Sequence, residues 1–161
     1  MSSSSGKLCH ELEVDVGASE VWELYGTLKL AKLVEQQLTS FFHKIEVLQG
    51  DGGVGTLLNI VLVPGTFGYK ERFTKVDNER RIKETEIVEG GYLELGFIFY
   101  IIRLEIIENL EKESSSIIKT TIEYQLMEDM ASNASIVTIQ PLAHIAQTAK
   151  TYLLNLKHNP Q

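Results

Sequence analysis

Seven segments of this chain alternate apolar and polar residues with a period of two, and that repeat limits the possible folds more than any other feature. Successive side chains of a strand point to opposite faces, so each such run reads as a strand with one face buried. In residues 7–16, Leu8, His10, Leu12, Val14 and Val16 share one face, while Lys7, Cys9, Glu11, Glu13 and Asp15 take the other. Further runs fall at residues 42–48, 56–63, 66–76, 80–88, 93–107 and 117–126, separated by Gly, Asp, Asn and Pro. After the first run the period changes. Ala18, Val21, Trp22 and Tyr25 are spaced as one helix face, followed by Leu28, Ala31, Leu33 and Leu38, which predicts two short helices. Helical spacing returns over residues 132–156 through Ile136, Ile139, Leu142, Ile145, Ala146, Ala149, Leu153 and Leu156, and Pro141 should kink or split that segment. The order predicts an α+β fold: a curved antiparallel sheet of seven strands gripping a long C-terminal helix, with space for a pocket between them.

A chain of 161 residues suits one domain, here 7–157, with flexible tails at 1–6 and 158–161. A net charge of −7 and no basic cluster argue against nucleic-acid or anionic-membrane partners. Cys9 is the only cysteine, so no internal disulfide forms, which suits a reducing compartment. The serine-rich start lacks the basic and apolar regions of a signal peptide, and the most apolar run, 95–102, is too short to span a membrane. These features predict a cytoplasmic protein.

The segment 69–87 can be registered as a hairpin. With Asp77, Asn78 and Glu79 as a three-residue loop, Val76 faces Arg80, Phe73 faces Lys83, Glu71 faces Thr85 and Tyr69 faces Ile87. The other face then pairs Lys70 with Glu86 and Arg72 with Glu84, opposite charges that suit solvent. Tyr69, Glu71, Phe73, Lys83, Thr85 and Ile87 are left pointing inward. By the same alternation Tyr100, Ile102, Leu104 and Ile106 point inward from the next strand, and Ile118, Thr120, Ile122, Tyr124 and Leu126 from the last. An apolar pocket holding one carboxylate and one ammonium results; Glu71 and Lys83 can flank a ligand or form an ordinary ion pair, or Lys83 can reach out to the rim.

Other features read as structural. Gly50, Asp51, Gly52, Gly53 and Gly55 form a glycine-rich run that lacks the Gly-Lys-Ser/Thr ending of a phosphate loop and precedes a strand, so it reads as a hairpin loop. His10, His43 and His144 lack metal-ligand spacing, and no metal site is predicted. Hydrolase, zinc-protease and dinucleotide motifs are absent.

The run from Gly50 to Thr56, the stretch Tyr69-Lys70-Glu71-Arg72-Phe73, Val76-Asp77-Asn78-Glu79, Glu89-Gly90-Gly91-Tyr92-Leu93-Glu94-Leu95-Gly96 and His10-Glu11-Leu12-Glu13-Val14 together resemble plant norcoclaurine synthases, within the pathogenesis-related class-ten, birch-pollen-allergen (Bet v I) family. The resemblance implies a Pictet–Spengler condensation of dopamine with 4-hydroxyphenylacetaldehyde in benzylisoquinoline alkaloid synthesis, without cofactor or metal. It implies that Tyr69, Glu71 and Lys83 are catalytic, with Phe73, Thr85, Ile87, Tyr100, Ile102, Leu104, Ile122 and Tyr124 around the substrates. It also implies a small aromatic amine, aldehyde or hydrophobic metabolite as partner, bound by a monomer or weak dimer. The family's further aspartate, on the next long strand, is replaced by Ile102. The competing expectation is a non-catalytic binder or carrier of hydrophobic plant metabolites or hormones such as cytokinins.

Overall fold

A computed structural model of the chain describes residues 3–159. The elements run β1 (Ser3–Val14), α1 (Ala18–Tyr25), α2 (Lys29–Gln37), β2 (Phe42–Gln49), β3 (Leu57–Leu62), β4 (Phe67–Asp77), β5 (Ile82–Gly90), a 3₁₀ helix (Gly91–Leu95), β6 (Phe97–Glu108), β7 (Ser116–Met127), a second 3₁₀ helix (Glu128–Ile136) and α3 (Gln140–His158). The seven strands form one sheet in the order β1-β7-β6-β5-β4-β3-β2, with every neighbouring pair antiparallel. The expected α+β fold is therefore the observed one. β1 pairs with β7, so the two terminal strands lie side by side at one edge and β2 forms the other.

The alternation predicts the inner face well. Phe73, Ile87, Tyr100, Ile102, Leu104, Ile106, Ile118, Ile122, Tyr124 and Leu126 are all buried. They pack with Val21, Trp22, Leu24 and Tyr25 of α1, Leu30, Leu33 and Val34 of α2, and Ala146, Ala149 and Leu153 of α3. Small alanines let α3 approach the sheet closely at two points, and burying this apolar area supplies the main stabilisation.

Three expectations need correction and one is met. Strand β1 starts at Ser3, pairing from Ser3↔Met127 to Val14↔Ser116, so residues 3–6 belong to the sheet and not to a tail; residues 1, 2, 160 and 161 of the expected tails lie outside the described residues. The start of the expected strand 93–107 is instead the 3₁₀ helix Gly91–Leu95, because Gly90, Gly91 and Gly96 all take positive φ and turn the chain before β6. Pro141 does split the C-terminal segment: it occupies the first turn of α3, where its missing N–H costs nothing, and residues 128–136 form the separate 3₁₀ helix.

The β4–β5 register is the third correction. Two bulges, at Lys70/Glu71 and Phe73/Lys75, and a longer turn through Arg81 at φ 55° shift the pairing. Phe73 faces Thr85, Glu71 faces Ile87 and Val76 faces Lys83. Lys70 pairs with Glu89 at 2.9 Å and not with Glu86, while Glu84 accepts a hydrogen bond from Arg103 on β6 at 2.6 Å. The pairing is off by two residues at Glu71, Arg72 and Phe73 and by three at Tyr69, Lys70 and Val76, while unbroken alternation through 71–73 and 82–87 keeps those side chains on their predicted faces.

Candidate active site

β4 and β5 bring Glu71 and Lys83 to the concave side beneath α1, α2 and α3. Both are buried, with Lys83 only 3% exposed and Glu71 9%. They line a cavity of about 90 Å³ whose walls include Tyr69, Thr85, Ile102, Leu104 and Tyr25. A second hollow of about 260 Å³ shares Phe42, Tyr69, Ile102 and Leu142 with the first and adds Tyr92, Tyr100 and Ile122. Tyr69 and Ile102 therefore stand between an inner lobe carrying the charged groups and an outer lobe walled by aromatic rings. The Tyr92 and Tyr100 rings stack at 4.2 Å and 7°, which gives the outer lobe a rigid flat wall.

The two ionisable groups sit in a low-dielectric setting that works against their charges. Burial raises the Glu71 carboxyl from 4.5 to about 7, although Lys83 and the Thr85 hydroxyl pull it down. Burial lowers the Lys83 ammonium from 10.5 to about 8 against the attraction of Glu71. No ion pair within 4 Å joins them among the described residues. Lys83 Nζ instead lies 4.5 Å from the centre of the Phe73 ring, a cation–π contact that holds the ammonium without spending its protons. The Thr85 hydroxyl donates to Glu71 Oε2 at 3.5 Å. Near neutral pH the pair can thus exchange protons in both directions, the condition for general acid and base work. The Tyr69 phenol is raised well above 10, first by burial and then by the charge of Glu71, so it remains a neutral hydrogen-bonding group.

The sequence-predicted set divides in three. Tyr69, Glu71, Lys83, Thr85, Ile102 and Leu104 line the inner lobe, while Tyr100 and Ile122 line the outer one. Phe73, Ile87 and Tyr124 are buried but line neither. Phe73 supports Lys83, Ile87 sits opposite Glu71 in the sheet, and Tyr124 packs edge-on against Phe97 at 5.6 Å between ring centres. The glycine loop spends its N–H groups internally: Gly52 donates to Thr56 Oγ1, Gly53 to Asp51 Oδ1 and Gly55 to the Phe73 carbonyl. It is a hairpin loop tied to β4, as its sequence implies. Among the described residues no three His, Cys, Asp or Glu side chains are grouped to hold a metal.

Sequence reasoning missed the helical wall, where Tyr25, Leu30, Ala31, Val34, Leu142 and Ile145 complete the inner lobe. Periodicity marks Tyr25, Ala31, Leu142 and Ile145 as apolar and inward but not Leu30 or Val34, and it does not separate cavity lining from core. Tyr25 alone carried a usable signal, a polar tip on an otherwise apolar helix face.

Comparison with known proteins shows which family the chain belongs to. The chain is 47% identical over 157 residues to norbelladine synthase of Narcissus pseudonarcissus, covering 96% of this chain and 95% of the relative. It is 38% identical over 151 residues to S-norcoclaurine synthase of Thalictrum flavum subsp. glaucum, covering 92% and 70%. The solved structure of the Thalictrum flavum norcoclaurine synthase in complex with dopamine and hydroxybenzaldehyde superposes with a TM-score of 0.85 at 36% identity, over 99% of this chain and 91% of that one. Residues 3–156 match the Pathogenesis-related protein Bet v 1 family, and the chain belongs to it.

Proposed function

We propose that this protein condenses an aromatic ethylamine such as dopamine with an aromatic aldehyde such as 4-hydroxyphenylacetaldehyde, the norcoclaurine-synthase type of reaction in alkaloid biosynthesis. The observation that carries the reading is the buried Glu71 and Lys83 pair, with acidities moved to about 7 and about 8 inside one aromatic cavity. The amine nitrogen adds to the aldehyde carbon, and the Lys83 ammonium gives a proton to the resulting hydroxyl as water leaves. The product of that step is an iminium ion. Ring closure follows when an aromatic carbon attacks the iminium carbon and Glu71 removes the ring proton that restores aromaticity. Tyr69, between the lobes, orients the iminium and separates the two rings. No residue in this scheme requires a metal or redox group. The acidic surface charge and lone cysteine suit work in the cytoplasm.

Ile102 shapes the balance between the two halves. It stands in both lobes where the family resemblance implies an aspartate, and its side chain moves no proton. Condensation to the iminium is therefore the step these residues support best, and ring closure is the slower one. The same apolar substitution favours a second reading, a carrier that holds aromatic metabolites without reacting them. Turnover of dopamine and 4-hydroxyphenylacetaldehyde by the unmodified protein, Lys83→Ala and Glu71→Gln separates the two. The enzyme loses roughly 10²–10⁴-fold in each variant with its fold intact; a carrier forms no adduct above background and changes only its affinity.

A further inference from the structure

Tyr25 ends α1 at 0% exposure, and its hydroxyl has no hydrogen-bond partner among the described residues. A phenylalanine would fill the same space without the penalty of an unpaired buried hydroxyl, so packing alone does not account for a tyrosine here. The residue belongs to the wall of the inner lobe, the same lobe that holds Glu71, Lys83 and Thr120. Burial alone raises its phenol above the ordinary value, with no charged neighbour contributing, so the group is a neutral donor and acceptor set apart from the Glu71–Lys83 pair. At about 90 Å³ the inner lobe is smaller than the roughly 150 Å³ that houses one benzene in an engineered apolar cavity, so a bound ring has to widen it. Widening it uncovers atoms of its own wall.

From the orphaned hydroxyl in that wall we propose that Tyr25 is a specificity residue, hydrogen-bonding the ring hydroxyl of the phenolic substrate that enters the inner lobe. The proposal rests on the condensation reading for the identity of the substrate, and on the structure alone for the polar group that meets it. A site with a buried hydroxyl awaiting a partner favours a hydroxylated ring over its deoxy analogue, because the analogue leaves both ends of the bond unmade. Tyr25 touches the ring and not the reacting atoms, so it acts on affinity more than on the chemical step.

The test measures binding of tyramine and 2-phenylethylamine, and of 4-hydroxybenzaldehyde and benzaldehyde, to the unmodified protein and to Tyr25→Phe by calorimetry. In one of the two pairs the hydroxylated member binds the unmodified protein roughly tenfold more tightly, and Tyr25→Phe removes that preference while leaving the deoxy member's affinity unchanged. Steady-state kinetics of Tyr25→Phe show a raised KM for the same hydroxylated substrate with kcat retained. The melting temperature of the variant without ligand equals or exceeds that of the unmodified protein, since no protein hydrogen bond is lost. Equal affinities within both pairs, a preference that survives in Tyr25→Phe, or a melting temperature lowered by the substitution would each overturn the proposal. If it fails while Lys83-dependent turnover persists, the condensation reading stands; if the Tyr25-dependent preference appears without turnover, that reading fails and the site binds phenols without reacting them.

Discussion

Lys83→Met should make the protein more stable at neutral pH and almost inactive. The structure gives the size of the effect. Burial lowers the Lys83 ammonium from 10.5 to about 8, which at about 1.4 kcal/mol per tenfold change in acidity means the folded state bears about 3 kcal/mol to keep that charge inside. The sign follows from proton counts. Between about pH 8 and 10.5 the unfolded chain holds a proton at this position that the folded chain has released, so stability rises with pH across that window and the penalty is full below it. Methionine has a similar length, keeps the contact with Phe73 and carries no charge. Glu71, no longer held down by the ammonium, then takes up a proton at neutral pH and is not left as an unpaired buried anion. Guanidinium denaturation at pH 7 should show Lys83→Met ahead by about 3 kcal/mol, or roughly 6–12 °C in thermal midpoint for a chain of this size. The gap should close as pH approaches 10.5, and turnover should fall roughly 10²–10⁴-fold. A variant less stable than the unmodified protein at pH 7, or a gap that does not change with pH, would refute the claim that a buried charge is maintained here at the expense of stability.

Other outcomes follow from the same geometry. The pH profile of kcat/KM should rise through about 7 as Glu71 loses its proton and fall through about 8 as Lys83 loses its own, and Glu71→Gln should flatten the acidic limb. Ile102→Asp should speed ring closure relative to condensation, measured as the ratio of cyclised product to trapped imine, while costing about 1–3 kcal/mol of stability in urea titrations because Ile102 is 8% exposed. Gly91→Ala should push on Tyr69, since an added Cβ would lie 2.8 Å from the Tyr69 Cβ in a backbone at φ 54°. A loss of about 1–3 kcal/mol in thermal or chemical unfolding, with a raised KM, is expected there.

The fold was legible because alternation fixes which face a strand residue takes, and because the two short helices and the terminal one change the period cleanly. Pairing was less legible than facing. The Tyr69–Ile87 hairpin misses its register by two to three residues because neither bulge, one at Val88 in β5 and one at Thr74 in β4, carries a glycine or proline to announce it, yet Glu71 and Lys83 still arrive inside since residues 71–73 and 82–87 alternate unbroken. The charged partners were misassigned for the same reason: Glu84 finds Arg103 on the neighbouring β6, a contact no single hairpin reveals. The serines at 3–5 read as a tail because strand pairing at a sheet edge depends on β7, not on their own composition. Of the site, the sheet half was visible from sequence, and the helical half was not, Tyr25 offering only its polar tip as a sign. Helix periodicity reports an inward face whether that face meets a packed core or a cavity.

The central claim is that Glu71 and Lys83 turn this cavity into a catalyst of amine–aldehyde condensation. The direct measurement is the initial rate of total adduct from dopamine and 4-hydroxyphenylacetaldehyde, imine trapped by borohydride plus cyclised product, with and without protein at pH 7.5. The account predicts a rate well above the spontaneous one that drops by at least roughly 10²-fold in Lys83→Ala. Adduct forming at the spontaneous rate, indifferent to Lys83, would contradict it.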